Sequence, residues 1–398
     1  MLRKGAPAPL WLLCIAGFLV MADGRVITPL LPAIERDFHT SAGTAGLTAT
    51  TYIAAYAIFQ LCYGPFGDRL GKVKVIRATL IFFTLGTGLC AAMPDLNSLL
   101  VMRALTGISA AAVVPMGLAY LGDTVKIEHR QKAISLFLSC MIAGSAGSQV
   151  LGGLLAQYAS WRSVFLIFAV VAAVPALLFQ RAGVDAPTPG ESRGHLARYR
   201  EVLGRAPGFY GVCVWEGFVF WGASAYLGAV LVDDIGSSYV VAGLLLDVMG
   251  AASVFTARHQ GKRTGVGRER QRFRTGSVLY AVGIGMVAVL GAVGGAWPAW
   301  FAVAAVLLGI GLISAHSTLQ VRATEVAPEA RATATSLFSC SLNVGGAAGS
   351  ALAGVVVDGP GYPVMWGACA VLVAVLVLVG PRALPRRQPA PAAAAAAA

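Results

Sequence analysis

Gly64-Pro65-Phe66-Gly67-Asp68-Arg69-Leu70-Gly71-Lys72-Val73-Lys74 lies between two apolar runs, 47–66 and 75–93. Each run has the roughly 20 residues that carry an α-helix across ~30 Å of hydrocarbon. The glycines between them permit a tight turn and close helix approach. Acids and bases alternate along the turn, where they can latch electrostatically, and Asp68 is suited to meet the positive N-terminal end of a neighbouring helix. Taken alone, the turn is also compatible with an ordinary charged loop at a membrane surface. The rest of the chain repeats the pattern of apolar run, charged turn and apolar run.

The composition agrees. The chain has 398 residues, 57% hydrophobic and 12% charged, with a mean hydropathy of +0.74. A soluble domain carries about 25% charge, so lipid is the expected solvent. Predicted spans in the first half are 10–31, 47–66, 75–93, 98–121, 132–157 and 161–180. In the second they are 207–230, 238–257, 275–293, 297–321, 332–356 and 361–381. The expected fold is an all-α membrane protein with twelve transmembrane helices in two pseudo-symmetric six-helix bundles. The expected domains are 1–180 and 207–381, joined by a polar linker at 181–206 and followed by a disordered Pro/Ala-rich tail at 382–398. Residues 1–24 resemble a secretory signal, but the apolar run contains Asp23 and continues to Leu31, which favours an uncleaved first helix.

A net charge of +12 could suggest nucleic acid, but its distribution argues against that partner. Of the 30 Lys and Arg, 26 fall in the N-terminus, the tail and the alternate loops that share one side with them; the opposite loops hold only Arg36 and Arg162. This asymmetry predicts a multi-pass protein of the cell (plasma or inner) membrane with both termini cytoplasmic. The seven cysteines lie in apolar segments without metal or CxxC spacing and read as packing residues.

Arg130-Gln-Lys-Ala-Ile-Ser-Leu-Phe137 returns 201 positions later as Arg331-Ala-Thr-Ala-Thr-Ser-Leu-Phe338, and at the same offset Gly144 aligns with Gly345 and Gly153 with Gly354. Two similar six-span halves form an architecture whose substrate site lies between them near the bilayer midplane.

The 64–74 stretch resembles the loop 2–3 signature of the major facilitator superfamily. Arg103-Ala-Leu-Thr-Gly107, the segment Asp123 to Arg130 and Trp161-Arg-Ser-Val-Phe165 support the resemblance, which covers essentially all twelve spans. It is nearest to the twelve-helix drug:proton antiporter branch, through Asp23 followed by Pro29-Leu-Leu-Pro32. The resemblance implies a conformational latch built from Gly64, Asp68, Arg69, Gly71, Lys72 and Arg130, with Asp68 engaging span eleven near Arg331. It also implies that Arg103 interacts with a proton-carrying centre. One departure is clear: span five reads Ser148-Gln-Val-Leu-Gly-Gly153, which keeps the double glycine and lacks the preceding Gly-Pro pair of such antiporters.

Ionisable side chains inside spans cost roughly 2.5–3.5 kcal/mol on insertion scales and are functional candidates by default. Asp23, Arg25, Arg103, Glu216 and Asp247 qualify. Asp23 and Arg25 sit two positions apart, about 200° around a helix, and face different ways. Asp23 and Arg103 both belong to the outer half of the bilayer and can meet, either as a proton site or as a purely structural ion pair. Asp247 is a second candidate proton carrier or a partner for Arg25. Glu216 lies near Trp215, Phe220 and Tyr226, an acid among aromatics that suits cationic lipophilic substrates, although aromatics in spans also serve as packing. Gln60, Gln149, His316 and Asn343 complete the expected pocket, with interhelical hydrogen bonding as the alternative role of each.

The expected function is a monomeric, proton-coupled secondary transporter that exports small lipophilic organic compounds by alternating access. A proton-coupled uptake symporter for a small metabolite such as a sugar or organic acid is the alternative, and a non-transporting membrane receptor a remote one. No cofactor, metal site or enzyme activity is expected: GxSxG, HExxH and the phosphate-cradling GxxxxGK[ST] are missing from the sequence, and the proton gradient is the expected drive.

Overall fold

The computed structural model describes residues 10–181, 195–262, 269–293 and 298–383. In the first half the helices are α1 (Leu10–Arg25), α2 (Ile27–Asp37), α3 (Ala42–Leu70), α4 (Lys72–Cys90), α5 (Leu96–Ala110), α6 (Val113–Thr124), α7 (Ile127–Tyr158) and α8 (Trp161–Phe179). After α9 (His195–Arg205), the second half holds α10 (Pro207–Glu216), α11 (Leu227–Ala229), α12 (Tyr239–Lys262), α13 (Glu269–Val293), α14 (Pro298–Val326), α15 (Arg331–Asp358) and α16 (Tyr362–Ala383). Among the described residues ten helical runs are long and apolar enough to cross a bilayer, and the bent pair α1–α2 makes an eleventh. The remaining predicted span, the ninth at 275–293, forms the body of α13, whose first turns carry Glu269, Arg270, Arg272 and Arg274.

Proline accounts for two departures from straight spans. The first span was expected to be continuous over 10–31. It bends by 49° between α1 and α2 and runs on to Asp37, because Pro29 has no N–H for the Arg25 carbonyl and its ring crowds that turn. Span four divides into α5 and α6, with Pro115 unable to bond the Ala111 carbonyl. By contrast α7, which contains no proline, is unbroken over 32 residues.

Span seven departs furthest. Expected as one helix over 207–230, it consists of α10, a π-helical stretch Gly217–Gly222, the single turn α11 and a second π-helical stretch Val230–Asp234. A Cβ on Gly217 would stand 1.9 Å from the Leu342 carbonyl oxygen, so this backbone lies directly on α15. Such local widening of a helix is common at functional sites.

The 64–74 stretch is more helical than expected. α3 continues through Leu70, and the turn shrinks to Gly71 with φ of 88°, a conformation that strains any residue with a Cβ. Lys72 then pairs with Asp123 at the end of α6. The side chain of Asp68 lies outside the described residues. Arg69 is exposed, and Arg130 Nη2 donates to the Val125 carbonyl at 3.5 Å, within its own loop. The predicted linker contains α9, which buries Val202 and packs on α15 and α10. Of the predicted tail, 384–398 lies outside the described residues.

Helices pack against one another on each side of this linker. α1 packs on α7, α3 on α5 and α4 on α8; in the second half α13 packs on α14 and α16, and α12 on α14. Across the divide run two long seams, α3 with α15 and α7 with α12. Glycines show the repeat in three dimensions. A Cβ on Gly144 would meet the Phe18 carbonyl oxygen at 2.1 Å, and one on its counterpart Gly345 would meet that of Val214 at 1.9 Å. Each half thus brings two helix backbones together at the same relative place, the kind of approach that small residues permit in lipid.

Candidate functional site

Asp23 and Arg103 meet inside the first half. Arg103 Nη1 donates to Asp23 Oδ2 at 2.7 Å and Nη2 to the Asp23 carbonyl at 3.1 Å, with both side chains fully buried. The guanidinium also lies 4.3 Å from the centroid of the Tyr52 ring, and Tyr52 in turn donates its hydroxyl to the Val20 carbonyl. Asp23 Oδ1 is buried without a hydrogen-bond partner among the described residues. One carboxylate oxygen is held by a fixed cation and the other stands bare, so the second is an atom on which a proton can reside.

Arg25 turns the other way, towards the second half. Its Cζ lies 3.6 Å from the centroid of the Trp221 ring, and the two residues line adjoining cavities of about 220 Å³ and about 100 Å³. The larger is walled by α7 (Ile142, Ser145, Gln149), α12 (Leu246, Met249) and α14 (Leu312, His316). The smaller reaches Tyr52, Tyr56 and Asn343. This is the space between halves that the repeat calls for, and the predicted residues Gln149, His316 and Asn343 border it. A roomier groove of about 820 Å³ opens from the side of the first half, lined by Phe66, Phe82, Leu85, Leu89 and Leu105. Its position on one half and its apolar walls suit acyl chains, not passage between halves.

Other predicted pocket residues stand elsewhere. Glu216 is fully buried and absent from both linings, with Oε1 at 3.5 Å from His316 Nδ1. His316, and not Glu216, lines the larger cavity. Phe220 stacks on Tyr280 with centroids 4.0 Å apart, in the interior of the second half. Tyr226, also fully buried, donates to the Ser350 carbonyl at 3.1 Å and lies 3.4 Å from that of Gly43, bridging the halves instead of facing the cavity. Trp215 is half-buried, with Nε1 enclosed and unpartnered among the described residues. Gln60 lies on α3 at the seam with α15, its Nε2 buried and without a hydrogen-bond partner among the described residues. Asp247 follows Leu246, which lines the cavity, by about 100° of helix; it borders neither cavity, and among the described residues it forms no pair with Arg25. Sequence reasoning missed the polar pair Thr28 and Ser224 and the orientation of Arg25 towards Trp221. The 200° between Asp23 and Arg25 was the available signal, because it sends one side chain into its own half and the other across the divide.

At the end predicted to face outward, the halves are tied together. Arg36 Nη2 lies 2.9 Å from Asp233 Oδ1, and Nη1 donates to Tyr239 at 3.0 Å. Asp358 accepts from the Gly43 N–H at 2.7 Å and from Ser41 Oγ.

The sequence profile of the Major Facilitator Superfamily matches residues 13–297 and 263–398, which together take in nearly the whole chain. The chain belongs to the major facilitator superfamily. Its fold is shared with a mutant of the nucleoside transporter NupG, at a TM-score of 0.76 and 14% identity over 95% of this chain and 100% of that one. A D-xylose-proton symporter aligns at a TM-score of 0.74 and 15% identity, over 92% and 96%. Among curated relatives, the putative multidrug resistance protein MdtD of Yersinia enterocolitica is 31% identical over 176 residues, which are 44% of this chain and 37% of that protein. The match thus spans little more than a third of the relative's length. As a major facilitator protein, the chain is a multi-pass membrane protein.

Proposed function

We propose that this transporter exports small lipophilic organic compounds in exchange for protons, as a monomer in the cell membrane with both termini cytoplasmic. The observation that carries the reading is the Asp23–Arg103 pair, an intramembrane carboxylate with one oxygen bound to a guanidinium at 2.7 Å and the other free to take a proton. Such groups in a span mark proton and substrate paths. The cavity between the halves, with apolar walls from Ile142, Leu246, Met249 and Leu312, supports a lipophilic cargo. The name of the Yersinia relative supports export.

In the mechanism that follows, cargo binds from the cytoplasmic side and the outer ties at Arg36–Asp233 and Gly43–Asp358 separate as the halves rock. A proton arriving at Asp23 Oδ1 from outside, as the cargo leaves, weakens the hold of Arg103 and lets the halves rock back so that the ties re-form. Loss of that proton to the cytoplasm returns the Asp23 carboxylate to Arg103. The test is transport in proteoliposomes with an imposed pH gradient, using a panel of dyes, antibiotics and sugars. Movement of a lipophilic compound against the proton flux is expected. Flux of a sugar together with protons would replace export by uptake.

A further inference from the structure

We propose that Arg25 is an anion-binding group and that the transported compound carries a carboxylate or a comparable anionic head. The proposal rests on the reading of the central cavity as the transport site and adds the substrate's chemical class.

Among the described residues, Arg25 is the only Asp, Glu, Lys or Arg in the lining of either cavity. It stands at the last residue of α1, beside the 49° bend, where the helix hands over to α2. The Trp221 ring fixes its guanidinium from one face, 3.6 Å from centroid to Cζ. A ring face takes none of the five N–H donors, which lie in the guanidinium plane. Among the described residues no carboxylate pairs with Arg25 and no acceptor bonds it. The acids that could have done so are committed or remote: Asp23 is held by Arg103, Glu216 stands behind His316, and Asp247 borders neither cavity.

A guanidinium inside a membrane protein is costly and is ordinarily paired. Here the pairing partner is missing from the protein while a cavity stands open at the charged edge. A planar carboxylate matches the guanidinium fork with two parallel hydrogen bonds. Thr28, Ser145, Gln149 and Ser224 line the same cavity as neutral donors and acceptors. Ile142, Leu246, Met249 and Leu312 then receive an apolar body. The resulting cargo is an amphipathic organic anion, the opposite sign to the one that Glu216 among its aromatics suggested.

The test uses the purified full chain and three probes with one ring system: 1-naphthoate, 1-naphthamide and 1-naphthylmethylammonium. Binding is followed by tryptophan fluorescence and thermal shift, without any pH gradient. Wild-type protein should bind 1-naphthoate at least about tenfold more tightly than the amide, with the ammonium weakest. Arg25→Gln should erase that preference while leaving amide binding in place, and Arg25→Lys should keep part of it, since a point charge lacks the fork. Equal affinity for naphthoate and naphthamide in the wild type, no naphthoate binding, or a preference for the ammonium overturns the proposal without recourse to a variant. The two readings fail separately. Selective naphthoate binding without proton-driven flux leaves the anion site standing and removes the exchange. Proton-driven flux with naphthoate binding unchanged in Arg25→Gln does the reverse.

Discussion

Asp358, the last residue of α15, accepts a hydrogen bond from the backbone N–H of Gly43 at 2.7 Å, so a carboxylate from one half caps the first turn of a helix in the other. At the matching place 201 positions earlier, Gln157 Oε1 accepts from the N–H of Val240 at 3.1 Å, in the first turn of α12. The repeat therefore builds one cross-half cap at each seam. The two differ in charge: the Asp358 carboxylate gains from the helix dipole of α3, and the Gln157 amide gains less from α12.

A cap of this kind is worth about 0.5–2 kcal/mol, comparable to the energy that separates conformers of a transporter. Asp358→Ala should shift the population towards the state with the outer ends apart, by roughly 2- to 30-fold on that estimate. Gln157→Ala should shift it less. Distances between spin labels on the 38–41 and 359–361 loops measure the shift directly. Unchanged distance distributions in Asp358→Ala would remove the cap from the gating equilibrium.

Gly43 faces a second constraint. A Cβ there would stand 2.1 Å from the Gly354 carbonyl oxygen, a backbone atom that cannot swing aside. Gly43→Ala is therefore expected to fold, because each half packs internally without this contact, and to fail at closing the outer end. Transport should fall to background while expression and size-exclusion profile stay normal. Wild-type flux in Gly43→Ala would show that the α3–α15 seam can part without cost.

The Asp23–Arg103 pair separates stability from coupling. Removing Arg103 leaves a fully buried carboxylate without its cation, a change that typically costs about 3–5 kcal/mol; Arg103→Ala should lower the melting temperature and yield of the detergent-solubilised protein. Asp23→Asn is close in shape and keeps an oxygen for Arg103, so it should be expressed at useful levels while losing proton-driven transport. Robust ΔpH-dependent flux in Asp23→Asn would take Asp23 out of the coupling mechanism.

How far the sequence reaches depends on whether a feature is set by local pattern or by packing. The apolar runs and the 201-residue repeat are local patterns, and they anticipated the helices, the two bundles and the cavity between them. Proline positions carried the information for the bends at Pro29 and Pro115, since a missing N–H acts at a fixed distance along the chain. The π-helical widening after Glu216 was not legible, because it follows from backbone contact between Gly217 and Leu342, residues 125 positions apart. For the same reason Tyr226 and Phe220 read as pocket residues. Periodicity places an aromatic on a helix face, but once the helix breaks, its neighbours decide whether that face meets cavity or core.

Glu216 and His316 illustrate the same limit and offer the last test. The sequence named both as candidate pocket residues; the structure sets Glu216 Oε1 3.5 Å from His316 Nδ1, with the carboxylate fully buried and the imidazole T-shaped to Trp221, at a centroid separation of 6.1 Å. His316 thus stands between Glu216 and the lining of the larger cavity as a contact of both. Residues that act as one unit are non-additive, with coupling of about 0.5–3 kcal/mol in double-mutant cycles. Glu216→Gln and His316→Gln should each reduce transport, and the double variant should be little worse than the weaker single. Independent, multiplicative losses would mean that the two side chains serve separate purposes and that Glu216 reaches the cargo by a route other than the imidazole.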